Sequence, residues 1–203
     1  NPLSSIKTLA QLMREDPQLA QRYAKDLTYM IGETDRLNRS VLQLLSFSRP
    51  ALETEEEVNL SELLETTVGV LARDQAPERI WIEPRIEPDL KLKRASPELI
   101  KQVVLNLALN AIQASEPGGT VRVEAARQPD GSVAIRVTDQ GPGIPLEIRE
   151  KIFEPFFTTR QKGTGLGLAI VRKNVRHLNG DIRIESPVEG GRGTTVTVTL
   201  AAQ

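Results

Sequence analysis

Glycine is distributed very unevenly along this chain of 203 residues. Twelve of the 14 glycines lie at or beyond Gly118, while the residues before it contain only Gly32 and Gly69. Glycine permits tight turns and close approach of the backbone, but it weakens a helix. The sequence therefore predicts a helical N-terminal part and a turn-rich C-terminal part of different architecture.

The N-terminal part has the spacing of two helices. Asp16 and Pro17 supply an N-cap acceptor and a proline at the first position of a long helix that extends to about Ser48. Residues on one side of it alternate at intervals of three and four, which is typical of a coiled-coil seam: Ala20, Tyr23, Leu27, Met30, Thr34, Leu37, Val41, Leu44 and Ser48. An earlier amphipathic helix carries Leu3, Ile6, Leu9, Ala10 and Met13.

The connection between these helices is short, which predicts an antiparallel hairpin. Two helices alone bury little apolar surface, so we expect a second copy of the hairpin to complete a dimeric four-helix bundle. The alternative is a helical linker packed on its own domain.

A linker that contains Pro50 and an acidic run ending at Glu57 separates two predicted domains, 1–52 and 57–203. The second has strand and helix patterns in mixture, which predicts an α+β fold with a two-layer α/β sandwich of helices and antiparallel strands. The expected elements are a helix over 63–71, strands near 80–82 and 90–92, a helix from Pro97 to about Ala114, a hairpin across Pro129-Asp130-Gly131, a helix from Leu166 to Leu178, and strands at Ile182 and Val198.

Composition excludes several classes of function. The chain has no Cys and one His, which argues against disulfides and against Cys- or His-based metal sites. Its formal charge of -1 removes the electrostatic attraction that non-specific nucleic-acid binding needs. Because no stretch has about 18 consecutive apolar residues and no secretory segment opens the chain, we expect a cytoplasmic protein.

Two asparagines lie within an apolar helical stretch. Asn106 and Asn110 are four residues apart, so their amides share one helix face. A helix cap cannot explain amides in the middle of a helix, and buried amides need partners. A polar site on this helix is the preferred interpretation; surface asparagines are the alternative.

Two glycine motifs follow. Asp139-Gln140-Gly141-Pro142-Gly143-Ile144 comes after a predicted strand, where a buried carboxylate can accept from an exocyclic amine such as that of adenine. Gly163-Thr164-Gly165-Leu166-Gly167-Leu168 opens a helix and exposes backbone N–H groups to an anion such as phosphate. Its spacing differs from that of a dinucleotide fingerprint.

The segment between these motifs combines aromatic and cationic residues. Phe153, Phe156 and Phe157 precede Arg160 and Lys162. An apolar anchor with a cationic, glycine-flanked end is typical of a lid over phosphates, and a loop merely packed by its phenylalanines is the alternative.

Four motifs of this chain resemble, in order and approximate spacing, the sequence boxes of two-component sensor histidine kinases. They are 106–114 for the N box, 139–144 for the G1 box, 153–157 for the F box and 163–168 for the G2 box. The sequence Glu154-Pro155-Phe156-Phe157-Thr158-Thr159 is most similar to that of the nitrogen-regulatory type of sensor kinase. Asn1-Pro2-Leu3 resembles the tail of that family's H box, and 45–50 resembles the end of its second dimerisation helix. The resemblance covers essentially the whole chain and implies a Bergerat-type ATP-binding domain after the hairpin.

The resemblance also implies roles for individual residues. Asn110 would coordinate Mg2+, Asn106 would support the metal and phosphate site, and Asp139 would bind the adenine amine. The remaining nucleotide-binding residues would be Gly141, Gly143, Gly163, Thr164, Gly165, Leu166 and Gly167, and the lid cations would be Arg160 and Lys162. Arg160 stands where the family more often has Lys.

The implied activity is ATP-dependent phosphorylation of a His, followed by transfer to an Asp of a response regulator. That His would lie four residues before Asn1, and Asn1 would orient water for removal of phosphate from the regulator. His177, near the end of a helix, matches a structural His of the family. The alternatives are an ATPase of the same fold that gates dimer contacts, and a non-catalytic scaffold that retains the nucleotide pocket. If the protein is anchored to a membrane, we expect the anchor to lie in a segment before Asn1.

Overall fold

The computed structural model of the chain describes residues 2–48, 55–74, 80–160, 163–188 and 191–201. They belong to two compact units, Asn1–Arg49 and Pro50–Gln203. In the described residues the first unit is helical, and the second combines helices with two sheets, so the α+β class is confirmed. The predicted limits 1–52 and 57–203 stay a prediction, because 49–54 lie outside the described part.

The first unit is the predicted helical hairpin, formed by α1 (Pro2–Glu15) and α2 (Pro17–Ser48). Asp16 Oδ1 accepts the backbone N–H groups two and three residues further on, at 2.8 and 3.1 Å, which confirms the N-cap. Lys7 Nζ lies 2.8 Å from Asp35 Oδ1 and joins the two helices.

The coiled-coil seam of α2 is largely exposed in a single copy of the chain. Leu27 and Thr34 are buried, together with Ala10 of α1. The prediction of one uninterrupted helix is wrong at Tyr23, whose φ of -126° and ψ of 15° are not helical. The exposed apolar residues of the two helices include Ile6, Leu9, Leu12, Met13, Met30, Leu37, Val41 and Leu44.

The second unit contains a five-stranded mixed sheet with strand order β2-β4-β5-β7-β6 and a separate two-stranded sheet, β1-β3. The prediction of antiparallel strands is wrong for β2, which pairs in parallel with β4. β1 was not predicted, and it pairs with β3 in antiparallel orientation. The strands are β1 (Glu56–Asn59), β2 (Trp81–Ile86), β3 (Lys91–Ala95), β4 (Thr120–Arg127), β5 (Val133–Asp139), β6 (Asp181–Glu185) and β7 (Thr194–Leu200).

Three helices cover the five-stranded sheet and form the second layer: α3 (Leu60–Asp74), α4 (Pro97–Ala114) and α5 (Gly167–His177). Alternate residues of β4, such as Val121 and Val123, point into the core between the layers. Ser96 Oγ caps α4 by accepting the N–H of Leu99 at 3.2 Å, as its sequence predicts. Two short 3-10 helices, at 146–148 and 151–153, lie between β5 and α5. Among the described helices, none is long and apolar enough to span a bilayer.

Candidate nucleotide-binding site

Two asparagine amides of α4 face the beginning of α5. Asn106 is 9% exposed, and its Nδ2 donates to the backbone carbonyl of Gln102 at 2.8 Å. That bond fixes the amide so that its Oδ1 can serve another partner. A methyl group built on Gly167, the first residue of α5, would lie 3.4 Å from Asn106 Oδ1 and 3.5 Å from Asn110 Nδ2. The structure therefore brings the paired amides and the second glycine motif together.

The beginning of α5 has the properties of an anion site. The N–H of Ile170 donates to the carbonyl of Leu166 at 2.9 Å, which is the first hydrogen bond of the helix. The N–H groups of the first turn of α5 have no acceptor within the helix, and the helix dipole makes this end positive. Together with the neighbouring amides, these N–H groups can bind phosphate oxygens.

The turn before α5 requires glycine at its centre. Gly165 has a φ of +67°, and its carbonyl accepts the N–H of Phe156 at 2.9 Å. A Cβ on Gly165 would lie 2.6 Å from the carbonyl oxygen of Phe156. Leu166 is buried, and its N–H donates to Thr164 Oγ1 at 3.4 Å. These contacts hold the turn against the lid segment.

Asp139 is a buried carboxylate at the end of β5. It is 8% exposed, and its Oδ1 accepts the N–H of Gly141 at 2.8 Å. Burial raises the pKa of the Asp139 carboxyl above its ordinary value. Hydrogen bonds from the backbone of Gly141 and Thr194, and the positive charge of Arg160, act in the opposite direction on that pKa. A largely desolvated acceptor of this kind suits recognition of a neutral amine.

The loop after Asp139 is held by a hydroxyl group. Ser186 Oγ accepts the N–H of Ile144 at 2.7 Å and donates to the carbonyl of Gly193 at 3.0 Å. Gly193 in turn donates its N–H to the carbonyl of Gly141 at 2.7 Å. Gly143 has a φ of +82°, and a Cβ there would lie 3.0 Å from Ser186 Oγ. The loop is thus shaped by the connection between β6 and β7, which lies far along the chain.

The carboxylate and the anion site lie at opposite ends of one stretch of α4. A Cβ on Gly141 would lie 2.6 Å from the carbonyl oxygen of Ala114, at the last turn of the helix. Gly167 lies beside Asn106, eight residues earlier. Gly167 also lies beside Asn110, four residues before Ala114, so the two ends are about 6–12 Å apart along the helix axis. A ligand that extends along α4 can contact both ends.

The lid segment is anchored at its beginning and exposed in its middle. Ile152 is buried, and the guanidinium of Arg172 on α5 lies 5.4 Å from the ring centre of Phe153. Phe156 is 65% exposed and has a φ of +68°, which is unusual for a residue with a side chain. Phe153 and Phe157 are half-buried whereas Phe156 is exposed, so Phe156 is not part of the predicted apolar anchor, and the lid stays a prediction.

The lid cation Arg160 lies against the C-terminal part of α4. Its Nη1 donates to Gln113 Oε1 at 2.7 Å, and its Nη2 donates to the backbone carbonyl of Asn110 at 3.1 Å. The backbone N–H of Arg160 donates to Thr158 Oγ1 at 3.1 Å, and its carbonyl accepts the N–H of Gly163, also at 3.1 Å. A Cβ on Gly163 would collide with the Thr158 hydroxyl.

Three further predictions concern isolated residues. Asn1 and Lys162 lie outside the described residues, so their roles stay predictions. His177 ends α5, and its Nδ1 lies 2.8 Å from the carbonyl of Lys173 within the same helix. Over the described parts of the chain, no group of three or more His, Cys, Asp or Glu side chains could hold a metal ion.

Several contributing residues escaped the sequence analysis. Asn174 of α5 is buried, and its Nδ2 donates to Gln102 Oε1 at 2.6 Å, so Gln102 connects α5 to the helix of Asn106. The spacing of Gln102, one turn before Asn106, could have indicated it. Asn174 and Ser186 gave no local signal, because their partners are distant in sequence.

Comparison with known proteins identifies related sequences. Residues 95–203 match the family described as histidine kinase-, DNA gyrase B-, and HSP90-like ATPase. The chain is 37% identical over 203 residues to the signal transduction histidine-protein kinase AtoS of Escherichia coli K12, covering 98% of this chain and 32% of AtoS. The chain thus spans about a third of the length of that relative.

Solved structures resemble the chain over its full length. Full-length ShkA in complex with AMPPNP gives a TM-score of 0.77 at 26% identity, covering 100% of this chain and 44% of ShkA. Histidine kinase ThkA, in complex with the response regulator protein TrrA, gives a TM-score of 0.75 at 29% identity, covering 100% of this chain and 58% of that one.

Proposed function

Because the chain belongs to the histidine kinase-, DNA gyrase B-, and HSP90-like ATPases and, within them, to the two-component sensor histidine kinases, we propose that its second unit binds ATP with Mg2+ for phosphorylation of a His. The observation that carries the proposal is the contact of Gly167 with both Asn106 and Asn110. This contact joins an anion-binding helix end to two amides that can hold a metal–phosphate group.

The nucleotide would lie along α4. Asp139 would accept a hydrogen bond from the adenine amine, and the N–H groups at the beginning of α5 would bind phosphate oxygens. Gly141, Gly143, Gly163 and the turn 164–167 would let the backbone approach the nucleotide closely. The geometry that supports this direction is the separation of about 6–12 Å along α4 between the two ends of the site.

Asn110, through its side-chain oxygen, would hold Mg2+, with Asn106 as its support. When bound, the ion would neutralise charge on the phosphates. The residues of this chain contribute positioning and electrostatics: the helix end and the cations Arg160 and Lys162 stabilise negative charge, and the lid excludes water. The nucleophile would be a His four residues before Asn1, which the family resemblance implies.

Autophosphorylation tests the proposal. A protein that includes the preceding His, incubated with Mg2+ and labelled ATP, should acquire acid-labile phosphate. Asn110→Ala should reduce the rate at least about tenfold, because a metal ligand is lost. The 203-residue chain should bind ATP without becoming labelled, since its one imidazole, His177, bonds its own helix.

The control is Lys101→Ala, an exposed position on the same helix, which should label like the parent. Labelling of His177 in the 203-residue chain would contradict the proposed acceptor. ATP hydrolysis without any phosphohistidine in the longer protein would favour the gating ATPase, and failure to bind ATP would favour the scaffold.

We further propose a homodimer through the hairpin. Leu37 is 53% exposed in the single chain although it belongs to the seam, and Val41 and Leu44 are similarly exposed. Burying this stripe against a second copy would complete a four-helix bundle.

Sedimentation equilibrium at micromolar concentration should give the mass of a dimer. Leu37→Glu should shift the protein to monomer, because the change would bury a charge in the bundle core. Lys25→Glu, which also adds a carboxylate to α2 but off the seam, should remain dimeric. A parent protein that sediments as a monomer even with the preceding helix residues restored would contradict the dimer.

The receiver domain of a response regulator is the proposed partner, consistent with the ThkA–TrrA complex. Asn1 would lie one helical turn beyond the acceptor His, where its amide could orient water for regulator dephosphorylation. The proposed setting of these reactions is the cytoplasm.

A further inference from the structure

Arg160 is held by α4 through two acceptors that carry no charge. One is the side-chain amide oxygen of Gln113 at 2.7 Å, and the other is the backbone carbonyl of Asn110 at 3.1 Å. Among the described residues, no carboxylate forms an ion pair with this guanidinium, although the charge of Asp139 is close enough to interact. The cation is therefore fixed in place while its charge remains uncompensated by a direct partner.

The guanidinium lies between the two ends of the candidate site. The amide of Asn110 faces Gly167 at the anion end, and Ala114 contacts Gly141 at the carboxylate end. Gln113 precedes Ala114 by one position, so Arg160 docks on the stretch of helix that joins these ends. An Arg side chain has five N–H donors, and the two contacts with α4 use two of them. The others can meet an anionic group that lies along α4.

The backbone around Arg160 supports this placement. The backbone N–H of Arg160 donates to Thr158 Oγ1, and its carbonyl accepts the N–H of Gly163, so both backbone groups of Arg160 are engaged away from α4. Its side chain is then the only part that reaches α4 by the hydrogen bonds described. Gln113 Oε1 supplies the shorter of the two contacts, and it is the one that a side-chain substitution can remove.

We propose that Gln113 is a positioning residue that docks lid residue Arg160 on α4, so that a positive charge with no ion pair among the described residues lies ready for the phosphates of the nucleotide. The inference rests on the proposed function and adds a residue to which neither the motifs nor the family resemblance gave a role. A neutral acceptor at position 113 orders the cation in advance, and a preordered donor loses less conformational entropy when the nucleotide binds.

Nucleotide titrations of three variants test the role of Gln113. Gln113→Met keeps the size of the side chain but removes the acceptor, and ATP binding should weaken about tenfold. Gln113→Glu keeps an acceptor for Arg160 but adds a negative charge that forms an ion pair with its guanidinium. Because that pairing competes with the phosphates, ATP binding should also weaken. In Gln113→Glu the lid should stay docked, so trypsin should cleave after Arg160 at the same rate as in the parent, whereas Gln113→Met should be cleaved there faster. In an Arg160→Ala background, Gln113→Met should have no further effect.

Adenosine separates positioning from a merely structural role. Its affinity should be unchanged in Gln113→Met, because adenosine has no phosphate for Arg160 to meet, and Lys101→Met on the same helix should bind both ligands like the parent. Equal losses for ATP and adenosine, or a loss that persists without Arg160, would overturn the inference. If the parent binds ATP and Gln113→Met matches it, the inference alone fails; if the parent does not bind ATP, the proposed function fails.

Discussion

Replacing Asp139 by asparagine is expected to weaken ATP binding by about 100-fold, the effect of mismatching a buried charged hydrogen bond. The asparagine oxygen can still accept the N–H of Gly141, as Asp139 Oδ1 does at 2.8 Å. The NH2 group of the asparagine would then face the adenine amine. Because both groups are donors, no hydrogen bond can form between them. Calorimetric titration with a non-hydrolysable ATP analogue measures the loss.

The matched control is Asp130→Asn, at the exposed tip of the β4–β5 hairpin, where Asp130 bonds only to Ser132 among the hydrogen bonds described. This variant should bind the analogue like the parent. If Asp139→Asn binds the analogue as tightly as the parent does, the Asp139 carboxylate does not contact the nucleotide.

The same substitution should have the opposite effect on stability in the absence of nucleotide. Burial raises the pKa of Asp139 in the native state, so the folded protein holds that proton more tightly than the unfolded chain. The corresponding stabilisation is fully present below the unfolded pKa and is lost as the pH rises through the native pKa. Asparagine has no such proton to lose. We therefore expect Asp139→Asn to melt at a higher temperature than the parent at neutral pH, with a difference that shrinks on acidification.

Gly165→Ala should disrupt the lid and abolish most nucleotide binding. Alanine at a φ of +67° costs about 1 kcal/mol, and its Cβ would approach the Phe156 oxygen to 2.6 Å. Such overlap with backbone typically adds about 1–3 kcal/mol. Relief requires movement of the turn that joins the lid to α5, and with it movement of the N–H groups that we propose bind phosphate. Thermal melting and ATP titration together measure the effect.

Gly131→Ala is the matched control, because Gly131 has a φ of +84° but nothing lies within 4 Å of its built Cβ. It should lose only the backbone contribution, about 1 kcal/mol, and bind ATP like the parent. If Gly165→Ala and Gly131→Ala behave alike, the contact of Gly165 with Phe156 has no special role.

The sequence alone predicted most elements because their signals are local. Asp16 and Ser96 cap helices through bonds to residues two or three positions away, and the turn at 129–131 joins strands that pair directly. Strand partners separated by many residues leave no such signal. The pairing of β1 with β3 and the parallel pairing of β2 with β4 therefore required the tertiary structure, as did the break of α2 at Tyr23.

The same division applies to the candidate site. Sequence determined its chemistry: two amides one turn apart at Asn106 and Asn110, a carboxylate at the end of a strand, and glycines at the beginning of a helix. Only the tertiary structure decided which groups meet. Gly167 lies beside Asn106, 61 positions away, because α4 and α5 pack on one sheet. Arg160 bonds to Gln113, 47 positions away, because the segment before α5 lies against α4. No local periodicity encodes either contact.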